Sequence, residues 1–174
     1  MKDFFKQHKL VITAVVMVIA IVALDLLTKV LAQNYLDGTI KIIGNWMTLH
    51  FITNGGASFS FLDGAVGSNI VFFVVTLIGL PLMVAVLYFN RKNSLFGNCG
   101  LVFMIGGTIG NAIDRAFLGD GFFNGRVRDF ISVKGFAIFN VADIFLVCGV
   151  IMFIFALLFL EKDALFAKKD KKDE

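Results

Sequence analysis

The sequence predicts an all-α membrane protein, four transmembrane helices in a bundle that carries a small β element on its outer face. Three observations lead there. The 174 residues are 58% hydrophobic and only 17% charged, with a single proline, a balance that a water-soluble domain of this length has no interior to conceal. Four apolar runs have lengths that suit helices crossing about 30 Å of hydrocarbon. Between the first two runs, WMTLHFIT alternates with the period of a strand.

The first span, about 10–32, opens with fifteen uncharged residues, Leu10 to Leu24, and carries Asp25 and Lys29 in its last part. Its opening, MKDFFKQHKL, resembles a leader, but no small-x-small site precedes a soluble domain and three more spans follow, so it is read as a retained span. In the alternating stretch, Trp46, Thr48, His50 and Ile52 fall on one side and Met47, Leu49 and Phe51 on the other. The glycines of NGGASFS, Asn54 to Ser60, then mark a turn or a close backbone approach. The second and third spans, about 66–89 and 95–113, are uncharged throughout. The fourth, about 140–160, holds one charge, Asp143, followed by seventeen uncharged residues. No repeat, heptad or low-complexity tract divides the chain. Residues 1–174 are expected to form one polytopic domain, with a disordered tail of mixed charge over 163–174.

Four spans put both termini on one side. Lysine and arginine number 10 in segments 1–9, 90–94 and 161–174, against 5 in 33–65 and 115–136. The richer set is expected in the cytoplasm.

Several chemistries are disfavoured by composition. The 21 phenylalanines are not interleaved with basic residues as nucleic-acid stacking would require. Only His8 and His50 exist, in different compartments under this topology, and no HExxH or paired-cysteine motif occurs, so neither metal nor cofactor is expected. Cys99 and Cys148 lie at different depths, which argues against a disulfide. Ser58 lacks a GxSxG elbow and no histidine follows it. A serine–lysine pair of Ser58 with Lys29 stays open on spacing.

Carboxylates remain. Asp25, Asp114, Asp120, Asp129 and Asp143 are expected in or beside the membrane near its outer face. Each has a purely structural reading. Asp25 and Lys29, spaced i, i+4, can neutralise one another. Asp114 beside Arg115 fits an interfacial ion pair, Asp129 fits a solvated loop acid, and Asn140 with Asp143 has N-cap and N3 spacing. Gly106, Gly107 and Gly110 suit close helix packing in lipid. The functional reading joins Asp129 and Asp143. The segment between them can turn back through Lys134 and Gly135, and two carboxylates held close, one protonated and one ionised, can activate water and protonate a leaving amine.

Five motifs in order, LDLLTK at Leu24 to Lys29, NGGASFS at Asn54 to Ser60, GGTIGNAIDR at Gly106 to Arg115, VRDF at Val127 to Phe130 and FNVAD at Phe139 to Asp143, resemble the lipoprotein signal peptidases, or signal peptidase II. The resemblance implies four helices with an extracytoplasmic β-cradle and a short periplasmic helix. It implies an aspartic endopeptidase of the bacterial inner membrane that uses no cofactor and cuts prolipoproteins before a diacylglyceryl-modified cysteine, with its active site on the extracytoplasmic side. By that resemblance Asp129 and Asp143 match the catalytic pair. Asn54, Gly56, Asn111, Arg115 and Asn140 match positions that shape the site or hold substrate, and Asp25 with Lys29 match a supporting polar pair. The stretch between Arg115 and Asp129 is longer than the pattern and adds Asp120 as a nearby acid. The expected partners are lipidated prolipoproteins and membrane lipid, with no nucleic acid, and the chain is expected to be a monomer. Two rival classes are a small ion-coupled carrier built on Asp25 and Lys29, and a scaffold built on the glycines of the third span. A carrier would place its charges near the midplane, whereas these gather toward one face.

Overall fold

The structure, a computed structural model, describes residues 2–55, 65–89, 94–119 and 124–160, with side chains from residue 9 onward and, in the second helix, from residue 71. Gly56, Ser58, Asp120 and the tail 163–174 lie outside the described residues.

Among the described residues, four helices are long and apolar enough to cross a membrane. They are α1 (Lys2–Tyr35), α2 (Ala65–Phe89), α3 (Leu95–Phe117) and α4 (Val141–Phe155), the last continued by a π turn, Ala156–Leu160. Their boundaries follow the apolar runs except in α1, which begins eight residues before Leu10 and ends three after Ala32, and at the end of α3, which runs four residues beyond Ile113 and carries Asp114 and Arg115 in its last turn. The hydropathy run stops at the first charge, but the helix does not, because both charges find partners. Ile19, Leu77, Ile78, Leu82 and Ile151 are 60–63% exposed, an outward apolar surface that hydrocarbon would cover and water would not tolerate.

Because lipid tails are as apolar as leucine, helices in a bilayer associate through close packing of small residues. α3 and α4 do so most extensively. A Cβ on Gly149 would stand 2.6 Å from the Gly100 carbonyl oxygen, and one on Gly107 would collide with the carbonyl oxygen of Ala142. α1 packs on α3 and α4, while α2 leans on α3.

At one end of the bundle lies an antiparallel sheet of β1 (Ile40–Ile43), β2 (Met47–Asn54) and β3 (Val127–Val133), in that order. The alternating stretch is strand as expected, shifted by one residue. Trp46 sits in the β1–β2 turn, its N–H donating to the Ile43 carbonyl at 2.9 Å. Met47, Leu49 and Phe51 pack together against a core of Ala32, Phe130 and Ile131. Among the described residues no short helix stands apart from the four spans.

After β3 the chain reverses at Gly135, whose φ of +82° suits glycine. The backbones of Ile131 and Phe139 then exchange hydrogen bonds of 2.9 Å in both directions. This reversal brings Asn140, at the head of α4, back beside Asp129.

Candidate active site

Asp129 reaches the site from β3. It is 3% exposed, and both of its oxygens accept from asparagines: Oδ2 from Asn54 Nδ2 at 2.9 Å and Oδ1 from Asn140 Nδ2 at 2.7 Å. Asn54 is delivered by the register of β2 on β3, which pairs Asn54 with Val127 and Ile52 with Asp129.

Asp143 arrives from the first turn of α4 and closes a capping box. The Asn140 side chain accepts from the Asp143 N–H at 3.1 Å, and Asp143 Oδ2 accepts from the Asn140 N–H at 3.1 Å. Its other oxygen accepts from Asn111 Nδ2 at 2.7 Å. The capping reading of Asn140 and Asp143 is therefore correct, and it does not compete with a chemical one. Asn140 holds Asp143 through backbone and cap while its amide holds Asp129, so one residue ties the two acids together.

Both carboxylates line a cavity of about 280 Å³, walled by Asn54 and Val127 from the sheet, Phe72 and Thr76 from α2, Asn111 and Arg115 from α3, and Leu146 from α4. Burial pushes Asp129 up from the ordinary value of 3.8 to about 6. The hydrogen bond from Asn54 opposes that shift and the negative charge of Asp143 adds to it, while the Asn140 amide and the Lys29 ammonium oppose it more weakly. A carboxyl group near 6 keeps its proton over a useful range beside a second carboxylate.

Behind the acids lies a buried polar layer. Lys29 and Asp25 are both fully buried and pair at 2.7 Å on one face of α1. Lys29 Nζ also donates to Asn111 Oδ1 at 2.9 Å, which orients the Asn111 amide toward Asp143. Asp25 Oδ1 accepts the Ala142 N–H at 2.9 Å in the first turn of α4. Lys29 is thus committed to an ion pair and an amide, so it is not poised as the base of a serine–lysine pair.

The expected pairing of Asp114 with Arg115 is corrected. Asp114 is fully buried and binds Arg128, accepting from Nη2 at 2.7 Å, Nε at 3.2 Å and the backbone N–H at 3.0 Å. Arg115 instead lies over the Phe72 ring at 3.8 Å and donates to its own helix at the Asn111 carbonyl, 3.5 Å away. Neighbours in sequence on a helix point about 100° apart, so adjacent opposite charges do not face one another. Arg128 and its second partner, Gln33 at 3.2 Å, were not singled out from sequence. No local signal marks the pair, because VRDFISV is buried on both faces and does not alternate.

Comparison with known proteins identifies the family. A family model described as signal peptidase (SPase) II matches residues 17–159. A lipoprotein signal peptidase of Streptomyces coelicolor is 38% identical over 146 residues, covering 81% of this chain and 69% of that protein. One from Rhodococcus jostii is 35% identical over 147 residues, 82% and 71% of the two chains. Another, from Caldicellulosiruptor bescii, is 31% identical over 155 residues, 88% and 96%. A bacterial membrane enzyme solved by the in meso method at 1.9 Å resolution superposes with a TM-score of 0.70 at 30% identity, over 87% of this chain and 94% of that one. The matched region runs from α1 to the end of α4 and includes every polar group described above, and the chain belongs to the signal peptidase II family.

Proposed function

We propose that this protein is an aspartic endopeptidase of the bacterial inner membrane that removes signal peptides from prolipoproteins, cutting on the N-terminal side of the diacylglyceryl-modified cysteine. The observation that carries the reading is that Asp129 and Asp143 line one cavity and are tied together through Asn140. Family membership supports the same activity.

In the proposed reaction Asp143 is ionised and Asp129 protonated. Asp143 takes a proton from water as the water oxygen attacks the scissile carbonyl carbon, and Asp129 gives its proton to the carbonyl oxygen. Collapse of the tetrahedral intermediate breaks the C–N bond, with the proton on Asp143 passing to the leaving amine and the hydroxyl proton returning to Asp129. Acid and base are both supplied by side chains. Asn54, Asn140 and Asn111 hold the two carboxyl groups, Arg115 offers its remaining N–H donors to substrate carbonyls, and Asp25 with Lys29 supports Asn111. Gly56 lies outside the described residues, and its part in shaping the site or holding substrate rests on the resemblance alone.

The lipid has a physical role in this scheme. A carboxylate placed where water meets hydrocarbon reaches only bonds held at that depth, and each buried CH₂ of a diacylglyceryl group adds about 0.8 kcal/mol of membrane affinity. In this reading the site faces the extracytoplasmic side with both termini in the cytoplasm, which the lysine and arginine distribution supports, and the protein acts as a monomer. The test offers two lipobox peptides, identical except that one carries a diacylglyceryl cysteine and the other a free cysteine, in the same micelles. Cleavage of the lipidated peptide with much higher kcat/KM is expected. Equal turnover would remove the lipid from the account, and no turnover of either would remove the activity.

A further inference from the structure

Arg128 is 8% exposed, and the proposed reaction gives it no part. Its contacts are more than a surface arginine needs. Asp114 grips residue 128 at three points, through the backbone N–H and both arms of the guanidinium fork, and Gln33 of α1 takes Nη1. Three elements, α1, α3 and β3, therefore converge on the residue that immediately precedes Asp129.

A buried ion pair is a poor device for stability, because its desolvation cost cancels most of the attraction and an apolar replacement of both partners often does as well. What it supplies is geometry. The guanidinium is planar and presents its donors in a rigid fork. Asp114 is fixed in turn, since Lys29 stands 3.5 Å from the same Oδ2 that receives Arg128. Asp25, Lys29, Asp114 and Arg128 make two acids and two bases, so the layer beneath the acids carries no net charge. Without Arg128, Asp114 would draw the Lys29 ammonium, which now orients Asn111 toward Asp143.

We infer that Arg128 is a positioning residue for hydrolysis: its fork on Asp114 sets the place at which β3 presents Asp129 to Asn54 and Asn140. The inference rests on the reading of Asp129 as a reacting group. A misplacement of about 1 Å at such a site can cost about 10² in rate, so the effect falls on kcat and leaves substrate binding alone.

The experiment compares wild type, Arg128→Lys, and the double variant Asp114→Asn with Arg128→Gln, each purified in detergent and assayed on a lipidated lipobox peptide alongside its thermal unfolding. Lysine keeps the charge and loses the fork; the double variant keeps the buried charge balance and loses both. The expected result is folded protein in each case, with KM within about twofold of wild type and kcat lower by roughly 10–10². Wild-type kcat in either folded variant overturns the inference, as does a loss that disappears when rates are corrected for folded protein. If neither variant accumulates in folded form, the cluster serves folding alone and the inference fails. If wild type itself leaves the peptide uncut, the proposed function fails first and the inference with it.

Discussion

At the scale of single residues, the two acids differ in environment more than in chemistry. Asp129 is buried between two amides, and Asp143 is half-buried at a helix N-terminus. Asp143→Asn keeps an oxygen for the capping box and Asp129→Asn keeps the shape of its site. Each is expected to accumulate as folded protein while kcat falls by about 10²–10⁴, and substantial turnover by either would end the dyad account. The pH dependence follows from the raised value of Asp129. Its proton is held below about 6 and lost above it. If Asp129 supplies the proton, kcat/KM of the free enzyme falls as pH rises through that region, with the apparent value belonging to the coupled pair. The Asn54 hydrogen bond favours the ionised form, so Asn54→Ala should move this alkaline limb to higher pH. A pH–rate profile in which the limb stays put or moves down would contradict the assignment.

At the scale of elements, the site depends on how closely α4 lies against α3. Gly107 touches the Ala142 carbonyl, one residue before Asp143, and a methyl group there has no room. Gly107→Ala is expected to push the first turn of α4 outward, costing about 1–3 kcal/mol of stability and lowering activity more than a comparable strain elsewhere on the helix; thermal unfolding and turnover measured together check it. The helices themselves were legible because a run such as Val66 to Phe89 can be little else in a chain this apolar. The N-cap and N3 spacing of Asn140 and Asp143 was legible because a cap is local. β3 was not, since VRDFISV lacks the alternation of WMTLHFIT and is buried on both faces from Val127 to Ile131. The Asp114–Arg128 pair escaped for a related reason. It joins residues fourteen apart on different elements, whereas sequence reading favours the adjacent Arg115.

At the scale of the whole molecule, the distribution of lysine and arginine supports the proposal that both ends of the chain are cytoplasmic, and on that proposal a C-terminal alkaline phosphatase fusion should be inactive while a fusion in the β3–α4 turn should be active. The reverse pattern would invert the topology and put the acids on the wrong side for exported substrates. The arrangement of buried charge also bears on how such a molecule is made. Asp25 and Lys29 cancel within one turn of a single helix at 2.7 Å, so the part of α1 from Leu10 onward can enter the bilayer with its two charges matched, and no later span is needed to shield them. Asp114 and Arg128 belong to elements synthesised at different times. Their union waits until β3 has emerged and folded back, so α3 enters with Asp114 still short of its arginine and the working site takes shape only after that span is in place.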